Sequence, residues 1–194
     1  MLIRLITPSD AESALEIYKP YVLSTAITFE YNVPTIEEFA ERIKNTTAEF
    51  PWFVCCDDDK VIAYAYATKH RYRAAYNWSP ESTIYLSPEA HGKGIARVLY
   101  ETLFATLKLQ GYFTVFAGVV IPNEKSERFH KAMGFEEIGI FKKIGNKLGV
   151  WHDTKWFQLP LSEHIADPPQ PKKIEEVKDS IPFKRILQNV NTKL

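Results

Sequence analysis

The chain has no surplus of either charge. Its 194 residues include 24 Lys plus Arg and 24 Asp plus Glu. A neutral balance offers no pull on a nucleic-acid backbone or an anionic membrane, so neither is expected as a partner. Cysteine is scarce, with Cys55 and Cys56 alone. As neighbours in a strand-like run they point to opposite faces, which argues against a disulfide framework or a metal site and for two buried thiols. No apolar run reaches the roughly 18 residues of a membrane-crossing helix. The start, Met1 to Pro8, lacks the layout of a secretory signal, so the protein is expected in the cytoplasm. A P-loop is missing, because no Gly-Lys-Ser/Thr follows a four-residue spacer. A dinucleotide fingerprint is missing too, because its third glycine is absent. Asp57-Asp58-Asp59 lacks the alternation and distal glutamate of a calcium loop and reads as a solvated turn, so no metal is expected. There is no internal repeat.

What is present suffices for one ordinary domain, since 45% of the residues are hydrophobic. The chain is organised around Glu81 to Tyr100. Ser82 to Ser87 alternates and is rich in β-branched and aromatic residues, which predicts a strand. Ile95, Val98, Leu99, Leu103 and Leu107 have helical spacing. Between them lies Gly92-Lys93-Gly94. A strand turning through glycines into a helix leaves free backbone N–H groups and a positive dipole end, an anion site suited to phosphate. Lys93 adds a cation, and the glycines allow close approach. On these residues alone, a simple turn is the competing reading.

Around this stretch the elements read in order. Leu2 to Ile6 is a short strand. Thr7-Pro8-Ser9-Asp10 starts a helix that runs to about Leu23, with Pro20 inside it. Residues 24–31 form a loop. Pro34-Thr35 opens a second helix to about Thr47, with Ile36, Phe39, Ala40 and Ile43 on one face. Trp52 to Cys56 and Val61 to Lys69 are hairpin strands. His70 to Trp78 is a basic, aromatic loop read as facing substrate. The long helix ends at Gly111, a C-cap. Phe113 to Val120 is a strand, and Pro122-Asn123 opens a helix to Gly134. Phe135 to Lys143 and Val150 to Leu159 are the final antiparallel strands, the last with a possible place at the sheet edge. The order predicts an α/β (α+β) domain with a mixed sheet and helices on both faces. Composition changes near Ser162. Asp167-Pro168-Pro169-Gln170-Pro171 fits neither a core helix nor a central strand, so residues 162–194 read as an arm. It would dock on the domain or on a partner subunit, or stay disordered.

His91-Gly92-Lys93-Gly94-Ile95-Ala96 resembles the Gln/Arg-x-x-Gly-x-Gly/Ala signature of GNAT acetyltransferases, which holds the pyrophosphate of acetyl-CoA. His91 stands where Gln or Arg is usual, which touches one side-chain contact and not the backbone cradle. Asn123, Ser126 and His130 share one side of a helix in a stretch that ends at Gly134-Phe135. It is similar to the family pattern Asn-x-x-Ala/Ser-x-x-x-Tyr-x-x-x-Gly-Phe, with His130 at the tyrosine position. That histidine, together with Thr28-Phe29-Glu30, the aromatics of Phe50-Pro51-Trp52, Arg73-x-x-Tyr76-x-Trp78, Glu81-Ser82-Thr83-x-Tyr85-x-Ser87 and Gly149-Val150-Trp151-His152-Asp153, resembles the phosphinothricin N-acetyltransferase group. This group is also described as L-amino acid or methionine sulfoximine N-acyltransferases. The resemblance spans about residues 2 to 161, taken as the GNAT domain 1–161.

The resemblance implies a GNAT fold with about seven mostly antiparallel strands and a splayed central strand. It implies acetyl-CoA bound by Gly92, Lys93, Gly94, Ile95, Ala96 and Arg97 at its pyrophosphate, with its pantetheine arm along Ile84, Tyr85 and Leu86 and against Asn123 and Ser126. It implies Glu81 as the base that takes the ammonium proton of an amino substrate. A backbone N–H near Tyr85 to Leu86 would meet the developing oxyanion. His130 would donate to the leaving thiolate or bind substrate. Phe29, Tyr31, Arg73 and Tyr76 are acceptor-pocket candidates, with Arg73 the carboxylate clamp, because guanidinium binds carboxylate bidentately. Trp151 and His152 line the site or a subunit interface. A homodimer is expected by analogy. The leading reading is N-acetyl transfer, in a ternary complex, to the α-amino group of a small amino acid or analogue. Its competitors are a protein or peptide N-acetyltransferase and a non-catalytic acyl-CoA sensor.

Overall fold

The alternating apolar runs pair into one seven-stranded sheet, with helices on both faces. The structure is a computed structural model and describes residues 1–192. In order it has β1 (Leu2–Leu5), α1 (Ala11–Ser24), α2 (Ile36–Thr47), β2 (Trp52–Asp57), β3 (Lys60–Lys69), β4 (Pro80–Leu86), α3 (Ile95–Gln110), β5 (Thr114–Ile121), α4 (Glu124–Ala132), β6 (Glu136–Lys147), β7 (Val150–Pro160), α5 (Ile174–Val177) and α6 (Ile181–Asn191). The sheet order is β1-β2-β3-β4-β5-β7-β6, antiparallel throughout except for the parallel β4–β5 pair. This is the expected GNAT architecture.

Local chemistry sets the helix ends. At α2, Thr35 accepts from the Glu38 N–H at 3.1 Å while the Glu38 carboxylate accepts from the Thr35 N–H at 2.8 Å, a reciprocal capping box. Gly111 ends α3 in the left-handed region, at φ 96°, where a side chain would be strained. Pro8 to Asp10 forms a 3-10 turn rather than the first turn of α1.

The core is double because the sheet is covered twice. On one face α3, α5 and α6 enclose Leu99, Leu103, Leu107, Ile174 and Phe183. On the other, α1 and α2 enclose Leu15, Tyr18, Phe39, Ile43 and Trp52. Cys55 belongs to the first cluster and Cys56 to the second, as alternation along β2 requires. Both are free thiols, and burial pushes Cys55 up to about 11.

The expectation that the last strand lies at the sheet edge is corrected. β7 is interior, paired with β5 on one side and β6 on the other. The strand before it outruns its expected end at Lys143. It passes a register shift between Phe141 and Gly145 and continues to Lys147, so β6 covers β7 and is itself the edge. Ile36, expected on the inner face of α2, is 44% exposed.

Residues 163–192 wrap the domain. Ile174, Val177, Phe183 and Val190 are buried in the first cluster, and Phe183 stacks on Phe53 at 6.2 Å. Burying one such ring contributes about 1.5–3 kcal/mol. The Asn191 side chain accepts from the Ile3 N–H at 2.7 Å and donates to the Ile3 carbonyl at 3.0 Å. It thereby satisfies backbone groups of the edge strand β1 that would otherwise invite another chain. Among the described residues no helix is long and apolar enough to cross a membrane.

Candidate active site

The one parallel junction in the sheet is where it opens. β4 and β5 share a single backbone partner pair, Glu81 with Phe116. Beyond it β4 stays paired to β3 from Thr68–Glu81 through Ala63–Leu86. Its other edge therefore faces a cleft instead of a neighbouring strand. Two cavities with shared walls fill this cleft. The larger, about 390 Å³, runs from Ile84, Tyr85 and Leu86 to Gly92, Gly94, Ile95, Ala96 and Arg97, with Asn123 and Ser126 opposite. The smaller, about 190 Å³, holds Glu81, Ser82, Tyr100 and His130 and shares Ile84, Tyr85, Asn123 and Ser126. Of the residues expected at the cofactor, Lys93 alone is outside both; it is exposed on the turn.

The start of α3 is built for an anion. α2, α4 and α6 are capped by the side chains of Thr35, Asn123 and Ser180. The N-cap of α3 is Gly94, which has no side chain to offer its first-turn N–H groups. Gly94 sits at φ 78°, and a Cβ there would meet no atom within 4 Å, so the cap faces open space. A cation that sequence reading passed over stands beside it. Lys125 of α4 donates to His91 Nδ1 at 2.9 Å, and burial followed by the Lys125 charge holds the imidazole below its usual range. His91 is thus the neutral acceptor of a lysine that lines the larger cavity. An uncapped helix start, open glycines and Lys125 suit the diphosphate and pantetheine of a coenzyme A thioester.

The smaller cavity gathers the titratable side chains of Glu81, Tyr100 and His130. Glu81 Oε2 lies 3.1 Å from His70 Nδ1, with the carboxylate side chain 31% exposed. His130 is 4% exposed. Its Nδ1–H donates to the Ser126 carbonyl at 2.8 Å, and its Nε2 is 3.3 Å from the Tyr100 hydroxyl. Burial lowers the His130 pKa, so the ring is neutral at pH 7 and Nε2 is an acceptor. Burial raises Tyr100, keeping its hydroxyl protonated as the donor. Asn123 spends its side-chain oxygen on the Ser126 N–H at 3.1 Å, capping α4. The Leu86 carbonyl accepts from the Tyr21 hydroxyl at 2.7 Å, fixing the end of β4 to α1.

The four acceptor candidates do not converge on the cleft. Phe29 lies against Gly145, where a Cβ would stand 2.5 Å from its ring, so only glycine permits the contact. The Tyr31 hydroxyl donates to the Asn146 carbonyl, and Lys147 donates to the Thr28 carbonyl at 2.7 Å. These contacts pin the loop of residues 25–34 to the β6–β7 hairpin, and the loop carries Ile27 and Thr28 into the smaller cavity. Lys147 is buried, which lowers its pKa. Arg73 and Tyr76 are exposed in the loop after β3, and neither lines the two cavities. That loop is tied to the arm: Trp78 Nε1–H donates to the Pro169 carbonyl at 2.8 Å, and Asn77 to Gln170 at 3.2 Å. Trp151 is 60% exposed, and His152 Nε2–H donates to the Lys147 carbonyl at 3.0 Å. His70, Tyr100, Lys125 and Lys147 were not singled out from sequence. The first of these reaches Glu81 through strand register, since Thr68, two residues before His70, is the cross-strand partner of Glu81.

Comparison with known proteins accounts for this arrangement. Residues 3–156 match the family model described as the acetyltransferase (GNAT) domain. A phosphinothricin N-acetyltransferase of Streptomyces coelicolor is 32% identical over 156 residues, 78% of this chain and 91% of that protein. The L-methionine sulfoximine/L-methionine sulfone acetyltransferase of Salmonella typhimurium is 29% identical, over 86% of this chain and 98% of its own. The crystal structure of a phosphinothricin acetyltransferase from Sinorhizobium meliloti in complex with AcCoA superposes with a TM-score of 0.82 at 37% identity, covering 87% of this chain and 92% of that one. The chain belongs to the GNAT acetyltransferase family, and within it is similar to the phosphinothricin and methionine sulfoximine acetyltransferases.

Proposed function

We propose that this protein transfers an acetyl group from acetyl-CoA to the α-amino group of a small amino acid or analogue of the phosphinothricin or methionine sulfoximine type. The observation that carries the reading is the opening of the sheet at Glu81–Phe116, with an uncapped helix start at one end and a carboxylate at the other. Acetyl-CoA supplies the activated acetyl thioester. The N–H groups of Ile95, Ala96 and Arg97, the glycines at 92 and 94, Lys93 and Lys125 hold its diphosphate. The free edge of β4 at Ile84 to Leu86 receives the pantetheine arm as an added strand, with Asn123 and Ser126 across the cleft.

The amino acceptor arrives as an ammonium at neutral pH. Glu81 takes its proton, directly or through water, and so frees the lone pair that attacks. The backbone N–H of Leu86, on the edge of β4 turned away from β3, faces the charge that develops on the carbonyl oxygen. His130, neutral and fixed through Ser126, holds the Tyr100 hydroxyl at the cavity wall rather than presenting an acidic N–H. Tyr31, Arg73, Tyr76 and the Phe29 loop remain the candidates for binding the rest of the acceptor. The test is thiol release from acetyl-CoA with phosphinothricin, methionine sulfoximine, the common amino acids and basic peptides. We expect turnover with one of the small acceptors. Activity on peptides with none on small amino acids would favour the protein-directed reading, and silence with every acceptor the sensor reading.

A homodimer is part of the proposal. Phe141, Ile144, Leu148, Val150 and Trp151 on the β6–β7 hairpin are 44–61% exposed, an apolar edge in want of cover. Sedimentation at micromolar concentration should give twice the chain mass; a monomer mass rules the dimer out.

A further inference from the structure

We propose that His70 is the positioning residue of the catalytic base: its Nδ1–H holds one oxygen of Glu81 and leaves the other to the acceptor ammonium. The inference rests on Glu81 being the base, as set out above. Sheet register brings the two together. Thr68 pairs with Glu81 across β3 and β4, and His70, two residues on, falls on the same face beside it. Nδ1 lies 3.1 Å from Oε2, while Oε1 has no hydrogen-bond partner among the described residues. A glutamate at a strand end has three side-chain torsions, and one fixed oxygen removes most of that freedom.

The imidazole is itself fixed. It stacks on Phe116 of β5 at 4.9 Å and 21° and meets the edge of Trp156 of β7 at 5.0 Å and 68°. Its side chain is 13% exposed. Phe116 belongs to the β4–β5 pair that closes the narrow end of the cleft, and Trp156 to β7, the next strand of the sheet, so the packing around Glu81–Phe116 aims the histidine. Because a carboxylate only accepts, Nδ1 carries the proton in this contact. Glu81 therefore gains a donor on one oxygen. Small errors in the placement of a reacting group are costly, on the order of 10²-fold per ångström.

Two variants separate the hydrogen bond from the packing. His70→Phe keeps a ring between Phe116 and Trp156 and removes the donor. His70→Asn keeps a donor near the place of Nδ1 and removes the ring. With phosphinothricin or methionine sulfoximine as acceptor, His70→Phe should lower kcat by about 10–100-fold with both KM values within about threefold of the parent. His70→Asn should keep most of kcat and lose thermal stability instead. Near-parental kcat in His70→Phe, or a loss in His70→Asn as large as in His70→Phe, would overturn the proposal. The cycle with Glu81→Gln tells this failure from a failure of the base itself. If His70 acts through Glu81, the double variant is no slower than Glu81→Gln alone. Full multiplication of the two losses leaves Glu81 as base but sinks the role of His70. A silent Glu81→Gln removes the base, and this inference with it.

Discussion

Glu81→Gln should lower kcat/KM by about 10²–10⁴-fold at neutral pH, the usual worth of a positioned base. The substitution keeps the shape of the side chain, and its amide oxygen can still accept from His70 Nδ1. It removes only the capacity to take a proton. Acetyl-CoA binding is expected to survive, because the larger cavity is built from other residues. The loss should shrink from about pH 6 to pH 10, as more of the acceptor is already a free amine and needs no base. That rescue is what distinguishes a missing base from a damaged fold, which costs activity at every pH. pH–rate profiles of the parent and the variant with one good acceptor are the measurement. Parallel profiles, or a loss under about threefold, would show that Glu81 is not the base. Attention would then pass to His130, whose Nε2 is an acceptor and whose only proton is spent on Ser126.

Much of the fold was legible because its signals are local. Alternation placed Cys55 and Cys56 on opposite faces, and the structure puts them in separate cores. Pro34-Thr35 announced a helix start, and Gly94 and Gly111 bracketed α3, because caps depend on a few neighbouring residues. What was missed depends on register or distance. Nothing in the run His70 to Trp78 says that its first residue would reach Glu81, since that contact exists only once β3 and β4 pair. Tyr100 has the spacing of a core aromatic and is one, yet its hydroxyl meets His130 across 30 residues. Lys125 sits in a first helical turn where a cation is electrostatically disfavoured, and it becomes intelligible only beside His91 and the cleft. The misplaced edge came from ending a strand at Lys143, whose φ of 48° marks the irregularity that β6 passes through. The arm was ambiguous for a further reason. Its apolar residues are sparse between charges, and their burial requires a groove that α3, β1 and β2 provide together.

Gly94 offers the second large effect. At φ 78° it occupies a backbone region in which an L side chain costs about 1–2 kcal/mol, and a β-branched one more. Its Cβ position is open, so Gly94→Val would set a branched side chain over the start of α3 without striking the protein. The chain should stay folded while the diphosphate loses its approach to the N–H groups of Ile95, Ala96 and Arg97. A control is available in Gly149, which has φ 77° and an equally open Cβ position but lies in the β6–β7 turn. Gly149→Val brings the same kind of backbone strain and leaves the cleft alone. Calorimetric titration of acetyl-CoA into the parent and both variants tests the central claim, that the cleft between β4 and β5 is the coenzyme site. The account predicts binding by the parent and by Gly149→Val with similar affinity, and an affinity at least about 100-fold weaker in Gly94→Val, equivalent to about 2.7 kcal/mol. Parental affinity in a folded Gly94→Val would contradict it.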